Sequence, residues 1–304
     1  SYSNVPPGLT AAVIERASRQ PFEVFLEQQL FRPLGMCSAS LMPVAGLPGG
    51  YRADGKTEIP YWHMSFTAFG ALNASVRDMA RLLSALLNNG RLDGGQPLEP
   101  QLVNQFFQPQ GTLADRAGLE VGYGAGIYGW VRRGRLFHGH GGDADGYRSR
   151  YGLLREDGRG YLVVINTDNP RLLGRMRRIL EDMLIADLPD GPGPPRAIPA
   201  PGELGAFTGE YYPASTRFGT SDWRNGRRSA VRVRQSDGSL VVTGSERSTR
   251  LYPAGGGRFY RAGDPAVTVV FVRDAAGKLY LQGELGNFAR ISPGPCPDFL
   301  PFCD

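Results

Sequence analysis

The sequence predicts an α/β protein, more narrowly α+β: an antiparallel sheet flanked by helices, followed by a small all-β barrel. Three observations carry this. Apolar residues recur at helical spacing at both ends of the first 190 or so residues, strand-like segments on short turns lie between them, and only short strands follow a Pro/Gly-rich break.

Taken in order, Leu9, Val13, Ile14 and Ala17 form one helical face and Phe22, Phe25, Leu26 and Leu30 a second, which Arg32-Pro33-Leu34-Gly35-Met36 closes. Ser75 as N-cap with Asp78 three residues on opens the clearest helix. Its apolar face is Met79, Leu82, Leu83, Leu86 and Leu87, and Gly90 stops it. The period then changes to strands at 122–132, 136–140, 147–155 and 161–166, and the short turns Arg133-Gly134 and Asp157-Gly158 imply antiparallel pairing. Leu172, Met176, Ile179, Leu180 and Met183 predict an amphipathic helix that covers this sheet. Residues 188–202 are too rich in Pro and Gly to sustain helix or sheet and read as a linker. Beyond them, strands at 230–234, 240–243, 259–261, 267–273, 279–282 and 288–291 predict the barrel. The expected units are 1–187, the linker 188–202, the barrel 203–292 and a Cys/Pro-rich tail 293–304.

With 304 residues, 41% of them hydrophobic, the chain can bury a sizeable core. No run of eighteen apolar residues occurs, so no membrane span is expected. The net charge of +5 is carried by arginines interleaved with acidic residues, which points to solvated surface and not to a nucleic-acid stripe. Cys37 is expected to be a small buried side chain. Cys296 and Cys303, in a tail with no core of its own, are expected to form a disulfide, and with it a periplasmic or secreted setting. His138 and His140 lack a third ligand at a convincing spacing, so neither metal nor another cofactor is expected.

The chain opens on Ser1-Tyr2-Ser3-Asn4. Later come Gly70-Ala71-Leu72-Asn73-Ala74-Ser75, Arg77-Asp78-Met79-Ala80-Arg81-Leu82-Leu83 and His138-Gly139-His140-Gly141-Gly142. This ordered set resembles the β-lactamase-related, penicillin-recognising serine hydrolases over about residues 1–187. The resemblance implies the C-terminal part of a β-lactamase/transpeptidase-like domain, and the barrel resembles the lipocalin-like accessory domain found with it. In that family the nucleophile is the Ser of Ser-x-x-Lys. The two lysines here, Lys56 and Lys278, are preceded three residues earlier by Ala53 and Ala275, so no Ser-x-x-Lys exists in these residues. A segment upstream of Ser1, or a companion chain, is expected to supply it.

By resemblance, Tyr2 is the base, Asn4 positions the substrate and His140 lines the facing wall. Gly141 and Gly142 leave room beside the strand, and the main-chain N–H of Asp143 serves the oxyanion. Arg148 and Arg150 are candidate anion contacts, and His138, two residues from His140 on one strand face, is its rival. The implied reaction is acyl-enzyme formation on an ester, amide or D-amino-acid peptide. His-Gly-Gly in place of Lys-Thr-Gly lacks a permanent cation and a hydroxyl, which shifts the expectation away from an efficient β-lactamase. Two alternatives remain: a binding or scaffold protein that keeps the fold, and a hydrolase whose nucleophile is Ser1 with its own α-amino group as base. The 304 residues alone are expected to be poorly stable, with one sheet edge and one helix face uncovered.

Overall fold

The computed structural model describes residues 3–61, 63–64, 67–189, 194, 196–214, 230–245 and 247–290. The chain forms two compact units: Tyr2–Pro109 with Tyr123–Gly191, and Gln110–Gly122 with Pro192–Asp304. Seven α-helices are described: α1 (Val5–Ser18), α2 (Phe22–Leu26), α3 (Arg32–Leu34), α4 (Val76–Leu87), α5 (Pro100–Phe107), α6 (Leu113–Arg116) and α7 (Pro170–Ile185). None of the described helices is long and apolar enough to cross a membrane.

In the first unit, α2 runs through a π-turn at Glu27–Phe31 into α3, which stops at Gly35 in the left-handed conformation. A short ribbon of β1 (Gly50–Tyr51) and β2 (Glu58–Ile59) follows. The sheet is antiparallel in the order β3 (Tyr128–Arg132), β4 (Arg135–Ala144), β5 (Tyr147–Leu154) and β6 (Arg159–Ile165). Its two faces are covered by different helices. Phe137, Leu154, Tyr161 and Val163 pack with Leu173, Met176 and Leu180 of α7, whereas Leu153, Tyr151 and Leu162 pack with Leu83 and Leu86 of α4 and Val103 and Phe107 of α5. Removing a side chain such as Phe137, fully buried, from water contributes roughly 2–3 kcal/mol.

The capping box of α4 forms as the sequence predicts. Ser75 Oγ accepts the Asp78 N–H at 3.1 Å, and the Asp78 carboxylate accepts the Ser75 N–H at 3.1 Å and hydroxyl at 2.8 Å, with a further bond from the Ser38 hydroxyl. Burial pushes the Asp78 carboxyl up, but the bonds from Ser38 and Ser75 outweigh it and hold it below the usual range.

Three expectations are corrected. The covering face of α7 is rotated by about one residue: Leu172, Ile179 and Met183 are exposed, while Leu173, Met176, Leu180 and Leu184 pack inward beside Glu181, which is fully buried. In α1 no residue is buried, and Val5, Leu9 and Val13 face solvent. Cys37 is exposed, whereas its neighbour Met36 is the residue that packs into the core.

The second unit is a closed antiparallel barrel in the order β10-β11-β12-β13-β14-β7-β8-β9. Its strands are β7 (Gly209–Pro213), β8 (Val231–Ser236), β9 (Ser239–Thr243), β10 (Ser248–Gly255), β11 (Arg258–Arg261), β12 (Val269–Arg273), β13 (Leu279–Gly283) and β14 (Gly286–Arg290). β7 and β10 are additions to the predicted six. Both end in Pro or Gly, and a register shift between Pro253 and Gly255 interrupts the alternation that marks a strand in sequence. Tyr211, Leu240, Leu251, Phe259, Phe271 and Leu281 fill the interior as one cluster. Residues 110–122, remote in sequence, form a strap on the outer face of this barrel. Ala114 and Leu119 of the strap are buried with Ala254, Tyr260, Val267 and Val270.

Candidate active site

Strand β4 carries both histidines on one face, because His138 pairs with Leu153 and His140 with Tyr151 across β5. Their surroundings differ. The His138 ring lies edge-on to Phe107 at 5.2 Å, and the Arg155 guanidinium stacks over that phenyl ring at 4.5 Å. Its Nδ1 is buried and has no hydrogen-bond partner among the described residues. Burial first, and the charge of Arg155 second, push the imidazole down to about 4. His138 is therefore neutral and packed at neutral pH.

A stability prediction follows with a defined sign. As pH falls from 6.5 toward 4, the unfolded chain takes up a proton at this position and the native chain does not, so stability declines through that window. The loss attributable to His138 reaches roughly 2–3 kcal/mol by the low end. Urea unfolding at pH 7 and pH 4.5 should show it, and His138→Phe should flatten the difference between the two.

His140 is half-buried, with its ring 5.6 Å from Tyr128 and 6.3 Å from Tyr123, both in edge geometry. Its Nδ1 lies 2.7 Å from the Gly141 carbonyl oxygen. A carbonyl only accepts, so Nδ1 carries the proton and Nε2 is the acceptor of the neutral ring.

Gly141 leaves room for Arg150. A Cβ there would lie 1.6 Å from Arg150 Nη1, so a side chain at 141 would displace the guanidinium. The Gly142 N–H donates to Ser149 Oγ at 3.1 Å, toward β5. N–H direction alternates along a strand, so the Asp143 N–H is directed to the opposite edge, past the end of β3 where pairing stops at Tyr128 and Gly139.

Arg148 and Arg150 pair across the ladder with Asp143 and Gly141, which sets them on the face opposite His140. Each is already met by carboxylates. Arg148 Nη1 lies 3.0 Å from Asp143 Oδ1 and its Nε donates to Asp168 at 2.8 Å, while Arg150 Nη2 lies 3.4 Å from Asp143 Oδ2. With Tyr128, Leu173, Gly174 and Arg177 they line a cavity of about 310 Å³. Asn4 stands exposed at the N-cap of α1, and its side chain caps none of the helix N–H groups. Tyr2, Ser1, Cys296 and Cys303 lie outside the described residues.

The rings of Tyr123 and Tyr128 are the site residues that sequence reasoning missed. Their signal is the Gly-rich run Gly122-Tyr123-Gly124-Ala125-Gly126-Ile127-Tyr128, with a glycine at every second position from 122 to 126. Gly124 lies so close to α5 that a Cβ would sit 2.1 Å from the Phe106 carbonyl oxygen. That approach anchors the loop between the two tyrosines.

A family model described as Beta-lactamase matches residues 1–182, and the chain belongs to that family. Its fold and its strand-borne His-Gly-Gly thus stand within a group of hydrolases, here with a closed eight-stranded barrel in addition. Among solved structures, SurE is 22% identical with a TM-score of 0.51, and the match covers 96% of this chain and 68% of SurE. A beta-lactamase from Sulfitobacter sp. EE-36 is 19% identical with a TM-score of 0.50, covering 61% of this chain and 59% of that one. D-amino acid amidase from Ochrobactrum anthropi SV3, crystallised with L-phenylalanine amide, is 20% identical with a TM-score of 0.48, covering 61% and 57%. The first two likenesses are of fold. No curated protein matches the chain.

Proposed function

We propose that the protein is a serine hydrolase that works through an acyl-enzyme on an ester, amide or D-amino-acid peptide, with the nucleophile on a Ser-x-x-Lys segment outside these residues. The observation that carries this reading is His140. Its imidazole is held by the Gly141 carbonyl, rimmed by two tyrosines, and stands three residues from an Asp143 N–H directed to the strand's free edge.

In this scheme the serine Oγ attacks the substrate carbonyl as its proton passes to Tyr2. The Asp143 N–H holds the oxyanion, and the leaving alcohol or amine takes the proton as the tetrahedral intermediate collapses to the acyl-enzyme. Water then attacks the acyl carbon and restores the serine hydroxyl. Asn4 and His140 orient the acyl group. The opposite-face placement of Arg148 and Arg150, and their pairing with Asp143 and Asp168, favour substrates without a carboxylate beside the scissile bond.

The test is fluorophosphonate labelling of the product of the entire reading frame, followed by peptide mapping. Label is expected on a serine outside these 304 residues. Label on a residue within them, or a continuous upstream frame without Ser-x-x-Lys and no label anywhere, overturns the proposal.

A further inference from the structure

The cavity of about 310 Å³ beside β5 and the first turns of α7 lies wholly within the sheet-bearing unit. Three half-buried guanidiniums line it, those of Arg148, Arg150 and Arg177, against one lining carboxylate, that of Asp143. The counter-charge is unevenly shared. Arg148 holds Asp143 at 3.0 Å and also donates from Nε to Asp168 at 2.8 Å. Arg150 reaches the same Asp143 only at 3.4 Å and spends one further donor on the Ser149 carbonyl at 2.9 Å.

Arg177 has less. The carboxylate oxygen it approaches, Oε1 of Glu181, stands 3.7 Å away, outside hydrogen-bond range, and already accepts from Trp130 at 3.0 Å and from Tyr161 at 3.1 Å. A guanidinium carries five N–H donors in a fixed fork that matches an oxyanion. Among the described residues, Arg150 and Arg177 leave most of theirs without a protein acceptor while lining one cavity, which is the arrangement an anionic group would complete.

The helix side of the cavity is kept open by Gly174. A Cβ there would meet only Arg178 Nη1 within 4 Å, at 3.6 Å, so a side chain at 174 would extend into the cavity. Glycine is a poor helix former, and here it stands inside a helix of 16 residues. Leu173 and Pro170 flank the gap with apolar surface.

We propose that this cavity binds a small molecule through an oxyanion, a phosphate or carboxylate group held by Arg150 and Arg177, with the rest of the ligand in the gap at Gly174. The site goes beyond the hydrolase reading and does not depend on it, since Arg148 and Arg150 lie on the sheet face opposite His140. Its volume is at the small end of the roughly 300–1,000 Å³ range of ligand pockets.

The test titrates the 304-residue protein with inorganic phosphate and, separately, with benzoate, against sodium chloride at matched ionic strength, and follows the arginine Nε–H groups by NMR. Saturable shifts of the Arg150 and Arg177 signals are expected with at least one of the two anions and not with chloride. The stronger binder tells a phosphate from a carboxylate on an apolar body. Arg177→Gln should weaken binding about tenfold or more, whereas Arg175→Gln, which removes the same charge from an exposed position of α7, should change it by less than about twofold. Gly174→Leu should weaken binding about tenfold or more without lowering the thermal midpoint, because leucine fills the gap and is the better helix former. Absence of saturable shifts with both anions overturns the proposal, as do equal losses in Arg175→Gln and Arg177→Gln or parental binding in Gly174→Leu. Should Gly174→Leu fail to fold, the two arginine variants decide alone.

Discussion

Replacing Glu181 with alanine is expected to lower the unfolding free energy of the sheet-bearing unit by about 3–5 kcal/mol. Glu181 is on the inner side of α7 with no exposure, and its Oε1 accepts from Trp130 Nε1 at 3.0 Å and from the Tyr161 hydroxyl at 3.1 Å. Arg132 Nε and Arg177 Nη1 stand 3.8 and 3.7 Å from its carboxylate oxygens. Truncation would leave the Trp130 and Tyr161 donors without their acceptor, while Arg132 keeps Asp182, and that orphaning costs more than the lost pairing itself. The same geometry acts on Tyr161: burial first, then the neighbouring charge of Glu181, lift its phenol well above the ordinary tyrosine range. Glu181→Gln keeps the volume and one acceptor, so a smaller loss of roughly 1–3 kcal/mol is expected. Urea unfolding of the three proteins separates these outcomes. An alanine variant within about 1 kcal/mol of the parent would show that the buried network adds little.

The second large effect concerns turnover. In the protein that includes the nucleophile segment, His140→Ala should reduce kcat/KM by about 10²-fold, the order of loss expected when a group that orients the acyl group is removed. Its stability should stay within about 1 kcal/mol, because the ring is only half-buried. His138→Ala should give the reverse pattern, a stability loss with turnover little changed, since its ring is packed against Phe107. Steady-state kinetics beside thermal unfolding for the two variants check the assignment. Equal kinetic losses in both would refute it.

The strongly patterned elements were legible in the sequence. Ser75 and Asp78 announced α4, and the turns at Arg133-Gly134 and Asp157-Gly158 announced the antiparallel sheet whose strand β4 carries His140-Gly141-Gly142. The α7 face was misread because apolar periodicity assumes that charged residues point outward, and Glu181 points inward to serve Trp130 and Tyr161. The sheet face of Arg148 and Arg150 was hidden because it depends on register with β4, which alternation within one strand does not supply. The strap was unreadable for a related reason. Its partners, Ala254 and Val267, lie more than a hundred residues away, and Ala114 and Leu119, which bury against them, show no period of their own.

That strap changes what the Pro-rich linker can mean. A protease cutting between Leu188 and Pro199 would leave intact the passages of the chain between the two units after Pro109 and after Gly122. The two resulting polypeptides would still be joined, since the strap on the first is docked on the barrel of the second through Leu119, Glu120 and Val267. The nicked protein should behave as a complementing pair, eluting together under native conditions and separating only in denaturant. By the same token the barrel is not an exchangeable cassette. Grafting it onto another enzyme at the linker alone would carry over an apolar face without the peptide that covers it.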